Sequence, residues 1–205
     1  GEGSRIGNGS RMKYGIPTPE GVGIFVSGRR GMTERLVLVR HGEVAENCRG
    51  RYVGRSDEPL SPEGMRQAAA LARVMEKLAD AHILVSPLLR ARETAEIAIT
   101  ADRAYAIDSD LREIDFGRWE KMSFPEIAAA EPRAVEEWAA LAEDFTFPGG
   151  EGIGAFCRRV EDAAGRIVAD PADRVVAVSH GGVIRHLICH FLGLERRHCL
   201  LFEVA

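Results

Sequence analysis

The sequence predicts an α/β fold, a three-layer sandwich in which helices flank a mostly parallel central sheet. Three short runs are almost wholly apolar and rich in β-branched residues, as expected of strands buried on both faces. These runs are Arg35–Arg40, Ala81–Ser86 and Arg174–Ser179. Helical patterns separate them, and strands that alternate with helices are typical of a parallel sheet. Polar residues end each run, which directs attention to the carboxyl ends of the strands.

The helices are predicted from capping residues and apolar spacing. Ser61 stands before Pro62, an N-cap residue followed by a first-turn proline, and apolar residues then recur at helical spacing. Ser123 and Glu126 match a capping box. Further helical stretches are predicted at 87–100, 132–145, 156–168 and 183–193, with a break at 148–150 and a last strand at 199–204.

Composition restricts the class of protein. The 205 residues are 45% hydrophobic and 28% charged, a globular balance. The net charge of −4 argues against general nucleic-acid binding, which needs a basic excess. No apolar run approaches the roughly 20 residues of a membrane span. The four cysteines form no CxxC pair, which favours the reducing cytoplasm over a disulfide framework or a zinc knuckle.

Two histidines stand in matching positions at the ends of predicted strands. His41 and His180 each precede a glycine, and in open α/β sheets ligands bind at the carboxyl ends of strands. Arg40 and Arg90 add two cations at the same edge, and the helix that Gly182 opens offers free N–H groups to an anion. Two guanidinium groups, a helix N-terminus, two histidines and a carboxylate together predict a phosphoryl-transfer site.

Six blocks of sequence carry a resemblance to a known family. In chain order they are LVLVRHGE with Asn47, YVGRSDEPLSPEGMRQA, SPLLRARETA, LREIDFGRWE, FPGGE and VVAVSHGGVIR. They resemble the histidine phosphatase superfamily, which includes cofactor-dependent phosphoglycerate mutases. The resemblance runs from Arg35 to about Leu194 and implies a phosphoglycerate mutase-like fold. Lys121 stands where the familiar motif has glycine, and Gly152 replaces a usual serine.

The resemblance implies a role for each site residue. His41 is the nucleophile that forms a phosphohistidine, and Glu113 donates a proton to the leaving group. The expected catalytic residues are His41, Glu113 and His180. The expected phosphate-binding residues are Arg40, Arg90, Asn47 and Gly181. Neither a metal nor a cofactor is expected. An imidazole attacks phosphorus only when neutral, so the two arginines should lower the pKa of the nucleophile.

Two assignments have competitors. Asp110 and Asp115 flank Glu113, and spacing in this sequence does not choose among the three carboxylates, whereas the family pattern favours Glu113. His186 and His190 lie four residues apart on one helix face, as a zinc pair would. That segment lacks the glutamate of HExxH and has no evident third ligand, so we interpret both as ordinary helix residues.

The predicted organisation is a flexible leader or arm at 1–31 and one domain at 32–205, with a helical insertion over the site at 117–150. The motif LREIDFGRWE and the absence of an extra lid favour the phosphatase branch, which includes α-ribazole phosphatases. We therefore predict a metal-independent phosphomonoesterase acting on a small phosphorylated metabolite, with α-ribazole phosphate as a candidate substrate. The alternatives are a cofactor-dependent phosphoglycerate mutase and a catalytically silent phosphate-binding or scaffold protein. We expect a cytoplasmic monomer or homodimer with no nucleic-acid or membrane partner.

Overall fold

A computed structural model describes residues 35–99, 102–140 and 144–204. Four strands form one sheet in the order β1-β4-β2-β3, and every neighbouring pair is parallel. The strands are β1 (Arg35–Arg40), β2 (His82–Val85), β3 (Ala106–Ile107) and β4 (Arg174–Ser179). The predicted parallel sheet is confirmed, although the two-residue β3 was not predicted. The predicted leader at 1–31 lies outside the described residues.

Helices connect the strands and follow the last of them. Those described are α1 (Pro62–Glu76), α2 (Leu89–Ala98), α3 (Phe124–Ala130), α4 (Pro132–Ala139), α5 (Ile153–Val168) and α6 (Gly181–Leu192). Short 3-10 helices lie at Glu46–Cys48, Ser109–Leu111, Gly117–Trp119 and Arg196–Leu201. The Ser61 hydroxyl accepts from Gly64 N at the start of α1, and the capping box of Ser123 and Glu126 is present. None of these helices is long and apolar enough to cross a membrane.

Alternating side chains of the strands build a core on each face of the sheet. One core packs strand residues against α5 and α6, and its strand members are Leu36, Leu38, Leu84, Val175 and Ala177. The other packs against α1 and α2, and its strand members are Val37, Val39, Ile83, Val85, Val176 and Val178. Both faces are therefore covered by helices, which confirms the predicted three-layer arrangement and explains why the strands are apolar throughout.

The strand predicted at 199–204 is wrong. A 3-10 helix, Arg196–Leu201, occupies most of that segment. Leu200 and Leu201 are 71% and 77% exposed, so the apolar run does not enter the core as a strand would. The backbone carbonyls of Phe202 and Val204 accept hydrogen bonds from the side chains of Arg185 and Arg40 instead of from a neighbouring strand. The segment therefore positions the side chains of Arg40 and Arg185 and forms no strand of the sheet.

The helix predicted across 132–145 is also too long. α4 ends at Ala139, and Ala140 closes it by donating its N–H to the Glu136 carbonyl. Phe145 and Phe147 lie beyond it and point into the core, where both are at most 5% exposed. Burial of these two rings competes with continuation of the helix, because a helix would not carry both to the same cluster.

The predicted insertion at 117–150 packs on an aromatic cluster. Trp119 is 1% exposed and makes ring contacts with Trp138, Phe145 and Phe147 at centroid distances of 5.3–6.0 Å. Tyr52, from the loop after β1, joins the cluster at 6.3 Å from Trp119. The insertion therefore supports the loop at 51–53, which contributes to the wall of the cavity described below.

Two glycines let the loop after β1 lie directly on the start of α1. A Cβ added at Gly42 would lie 2.4 Å from the Gly64 carbonyl oxygen, and one added at Gly64 would lie 2.1 Å from the Glu43 carbonyl oxygen. Side chains at either position would push two backbones apart. Close packing of the two backbones therefore requires glycine at position 42.

We expect Gly64→Ala to destabilise the fold by about 1–3 kcal/mol, since the added methyl group meets backbone atoms that cannot rotate away. Gly165→Ala is the matched control within α5, where an added Cβ meets no atom within 4 Å. That variant should gain roughly 1 kcal/mol from helix propensity. Urea unfolding of both variants measures the difference, and equal stabilities would contradict the close packing.

Candidate active site

The carboxyl ends of three neighbouring strands bring the predicted site together. Arg40 lies beside Ser179 in the β1–β4 register, and His41 N extends the pairing by donating to the Ser179 carbonyl at 3.0 Å. Ser86 N donates to the Val178 carbonyl at 2.9 Å at the end of β2. His41, His180 and Ser86 therefore meet at one edge of the sheet, although they are far apart in sequence.

The His41 ring is held in one tautomer. Its Nδ1 lies 2.8 Å from the Gly42 carbonyl oxygen, which only accepts, so Nδ1 carries the proton. Nε2 then has a free lone pair, toward which the Nε of Arg90 donates at 3.2 Å. Burial, and next the charge of Arg90, lower the pKa of His41 to about 3. The ring is therefore neutral at pH 7, as a nucleophile requires, and this agrees with the expectation from its cationic neighbours.

Arg90 is placed by carbonyl groups instead of carboxylates. It lies in the first turn of α2 and is 1% exposed. Nη1 donates to the Ser56 carbonyl at 2.8 Å and Nη2 to the Gly54 carbonyl at 2.7 Å. Because carbonyl groups orient a guanidinium group without neutralising it, Arg90 keeps its full charge for an anion.

The loop that holds Arg90 depends on a residue that the sequence did not single out. The Glu120 carboxylate accepts from Gly54 N, Arg55 N and Ser56 N at 2.7–3.2 Å, and from the Ser56 hydroxyl at 2.7 Å. Glu120 lies more than 60 residues from this loop in sequence. No spacing signal connects the two, so only the tertiary fold identifies it.

His180 lies behind His41 and is completely buried. The two ring centroids are 5.0 Å apart, and Nε2 of His180 lies 2.6 Å from the Ser86 hydroxyl oxygen. Nδ1 of His180 has no hydrogen-bond partner within the described ranges. Burial, and next the neighbouring His41, lower the pKa of His180 well below its usual value. The ring therefore lies behind the residues that line the cavity, with one buried nitrogen that still lacks a hydrogen-bond partner among the described residues.

Glu113 lies at the N-terminus of α6. One carboxylate oxygen accepts from Gly182 N and the other from Ile114 N, both at 2.9 Å. A Cβ on Gly182 would lie 2.4 Å from this carboxylate, so the glycine makes room for it. Of the three competing carboxylates, Glu113 is the one that lines the cavity beside His41. Asp110 pairs with Arg166, and Asp115 accepts from Gly117 N.

The remaining predicted site residues differ in whether they line the cavity. Arg40 and Gly181 line the same cavity as His41, and Nη1 of Arg40 donates to the Val204 carbonyl at 2.6 Å. Asn47 is exposed on the 3-10 helix Glu46–Cys48 and is not among the residues that line the cavity. Of the predicted site residues, Arg40, His41, Arg90, Glu113 and Gly181 line the cavity, and His180 lies directly behind His41. Asn47 does neither.

The cavity at the strand ends has a volume of about 980 Å³. Tyr52, Val53 and Phe116 form an apolar part of its wall. Other wall positions are charged, and their arginines form ion pairs, namely Arg49 with Glu43, Arg66 with Glu63 and Arg51 with Glu126. The cavity therefore combines the cations Arg40 and Arg90 with a wall that holds both apolar groups and paired charged groups.

The described part of the chain contains no group of three or more His, Cys, Asp or Glu residues placed to hold a metal ion. His186, one member of the histidine pair considered above, donates from Nδ1 to the Gly182 carbonyl at 2.9 Å and packs edge-on against Phe156 at 4.8 Å. His190 is exposed and lies against Phe191. Their surroundings fit the interpretation of two ordinary helix residues.

Residues 36–205 match the family model described as Histidine phosphatase superfamily (branch 1). The chain belongs to this superfamily. The family match covers nearly all of the described residues, so the resemblance inferred from the six sequence blocks is confirmed. Mycobacterial relatives, among them a bifunctional protein of Mycobacterium tuberculosis, are 37% identical over 168 residues, or 79% of this chain. The chain spans only 45% of the length of those relatives.

Other similar proteins match over most of their own length. An adenosylcobalamin/α-ribazole phosphatase of Salmonella typhimurium is 34% identical over 172 residues, covering 83% of this chain and 85% of that protein. A probable phosphoglycerate mutase of Salmonella paratyphi C is 34% identical over 169 residues, covering 80% and 79%. The crystal structure of the α-ribazole phosphatase of Shigella flexneri has a TM-score of 0.76 at 29% identity, covering 83% and 85%.

The lowered pKa of His41 predicts how stability depends on pH. Between about pH 6.5, the unfolded value, and the folded value of about 3, the unfolded chain holds a proton on His41 that the folded protein lacks. The free energy of unfolding therefore decreases as pH falls through this window, by about 1.4 kcal/mol per pH unit for each such group.

Removal of that group should flatten the dependence. We expect His41→Asn to reduce the slope of the free energy of unfolding against pH by about one proton between pH 4.5 and 6. Urea unfolding at several pH values measures both slopes. Parallel curves for wild type and variant would show that His41 is protonated in the folded protein as readily as in the unfolded chain.

Proposed function

We propose that this chain is a phosphomonoesterase that transfers the phosphoryl group of a small phosphorylated metabolite to His41 and then to water. The observation that carries the proposal is the unprotonated Nε2 of a neutral His41, which accepts a hydrogen bond from Arg90, in a cavity that Arg40 and Arg90 also line. Membership of the histidine phosphatase superfamily supports it. The superfamily fold alone does not define a substrate, which must be argued from the site.

In the first step, Nε2 of His41 attacks phosphorus and the bond from phosphorus to the ester oxygen breaks. Arg40 and Arg90 bind the phosphoryl oxygens, and the free Nδ1 of His180 donates to a third. Glu113, when protonated, gives its proton to the departing ester oxygen, so the leaving group departs as an alcohol. The products are the free alcohol, a phosphohistidine and a Glu113 carboxylate.

In the second step, water attacks the phosphohistidine. The Glu113 carboxylate takes a proton from that water, the N–P bond breaks, and inorganic phosphate leaves. His41 recovers its lone pair, and the Gly42 carbonyl has held Nδ1–H in place throughout. Each group then returns to its initial protonation state. Because fixed guanidinium groups supply the positive charge at phosphorus, we propose that the reaction needs no divalent metal.

The substrate is proposed to be a nucleoside-sized monoester, with α-ribazole phosphate as the leading candidate. Support comes from the names of two similar proteins and from the cavity volume of about 980 Å³, which is ample for a ligand of drug size. A phosphoglycerate mutase is the second candidate, because one relative carries that name. We further propose a cytoplasmic location, no nucleic-acid partner and a monomeric or homodimeric state, in line with the net charge and the free cysteines.

Turnover of a panel of phosphate monoesters by protein treated with EDTA tests the proposal. The panel includes α-ribazole phosphate and 3-phosphoglycerate, and His41→Ala is the control. Turnover that survives chelation and disappears in the control supports the metal-independent phosphohistidine route. A requirement for a bisphosphorylated primer would favour the mutase. Phosphate binding without turnover of any ester would favour a silent binding protein.

The proton-donor role of Glu113 predicts a dependence on the leaving group. We expect Glu113→Gln to slow the hydrolysis of alkyl phosphates by about 10²- to 10⁴-fold, because an alkoxide leaving group needs the proton. Aryl phosphates leave without it and should be affected far less. Asp110→Asn is the matched control, since Asp110 pairs with Arg166 outside the cavity. Equal losses on both ester classes in Glu113→Gln would reject the role.

A further inference from the structure

Arg185 is a cation in the cavity that neither the proposed mechanism nor the sequence motifs assign. It lies on α6, four residues after Gly181, and lines the same cavity as His41. Side chains on a helix lean toward its N-terminus, so Arg185 reaches back over the first turn. Its Nη1 lies 3.6 Å from the position that a Cβ on Gly181 would occupy, and Nε of Arg40 lies 3.8 Å from the same point. Two guanidinium groups therefore flank Gly181.

Arg185 is positioned by a carbonyl group. Its Nε donates to the Phe202 carbonyl at 2.9 Å, as Nη1 of Arg40 donates to the Val204 carbonyl at 2.6 Å. Two carbonyls of the C-terminal segment, two residues apart, thus fix both arginines. Within the described residues, neither guanidinium group has a carboxylate at ion-pair distance. Both positive charges remain uncompensated by an ion pair.

Other arginines that line the cavity differ in this respect. Arg66 pairs with Glu63 at 2.5 Å, and Arg49 pairs with Glu43 at 2.9 Å. The proximity of Arg185 works against the charge of Arg40, whose pKa is lowered first by burial and also by this neighbour. Like charges held side by side are unfavourable unless an anion binds between them. The α6 N-terminus, which also favours an anion, lies at the same place.

We propose that Arg185 binds a phosphoryl oxygen of the substrate together with Arg40, as a third guanidinium group of the phosphate site. The inference rests on the proposed function in taking a phosphate monoester as the ligand. It assigns Arg185 to the phosphoryl group and not to the alcohol part of the ester, because its guanidinium group lies over Gly181 at the helix N-terminus. Affinity for every ester should then depend on Arg185, whatever the leaving group.

The experiment measures binding of inorganic phosphate by titration calorimetry, independently of turnover. We expect Arg185→Gln to weaken phosphate binding by about 10- to 100-fold, the effect of losing one charge-assisted contact. Arg185→Lys keeps the charge and should recover part of that loss. Arg73→Gln is the control, at an exposed arginine of α1 that is not among the residues lining the cavity, and should bind phosphate as wild type does. The KM of each ester that is turned over should rise by the same factor as the phosphate dissociation constant.

A further readout separates binding from a structural role. If Arg185 supplies charge, its loss weakens binding of the phosphate dianion more than binding of the monoanion. The increase in affinity as pH rises through the second pKa of phosphate is then smaller in Arg185→Gln. If Arg185 only holds the C-terminal segment, the melting temperature falls while phosphate affinity and its pH dependence stay at the wild-type values. That result would overturn the inference.

The remaining outcomes are also decisive. A rise in KM confined to esters whose alcohol part carries a carboxylate, with phosphate affinity unchanged, would assign Arg185 to the alcohol part of the ester. That result would overturn the inference. Weaker phosphate binding in Arg185→Gln, in a protein that turns over no ester, would support the inference while the proposed function fails. Turnover that depends on His41 but not on Arg185 would support the function and reject the inference.

Discussion

The hydrogen bond from Nδ1 of His41 to the Gly42 carbonyl is the interaction on which the rest of the site depends. It fixes the tautomer and so leaves Nε2 unprotonated, with a lone pair that accepts from Nε of Arg90 at 3.2 Å. The carbonyl is in place because Gly42 lies against Gly64 at the start of α1, where neither backbone has room for a Cβ. Gly42 N also donates to the Thr94 hydroxyl, which ties the loop to α2. Packing between loop and helices thus determines the tautomer of one ring.

The second constraint is the concentration of positive charge around buried imidazole rings. Arg40, Arg90 and Arg185 are each oriented by backbone carbonyl groups, so their charges stay available to an anion. Burial and the charges of Arg40 and Arg90 lower the pKa of both histidines, because protonation would add a further cation to a desolvated cluster. The same arrangement that favours an anion therefore also keeps His41, the proposed nucleophile, in its neutral form.

Much of this was readable from the sequence before the fold was known. Apolar β-branched runs and caps located β1, β2, β4 and α1, because burial on both faces of a parallel sheet leaves a continuous apolar pattern. The RHG and SHG motifs indicated which strand ends carry chemistry. Asn47 is the site residue whose place was least determined, since an exposed residue on a short 3-10 helix carries no burial pattern. At Lys121 the backbone keeps a positive φ of 61°, the conformation that explains why the familiar motif has glycine at this position.

The sequence by itself determined the fold class, the strand ends and the residue types of the proposed phosphoryl site, because periodicity and short motifs are local properties of the chain. Tertiary structure alone decided how these residues are held. Glu120 orders the loop that positions Arg90, and the C-terminal segment uses its carbonyls to fix Arg40 and Arg185. That segment was expected to be a strand, since its apolar letters do not reveal that its hydrogen-bond partners are side chains. Contacts between distant segments leave no periodic trace, so only the folded chain identifies them.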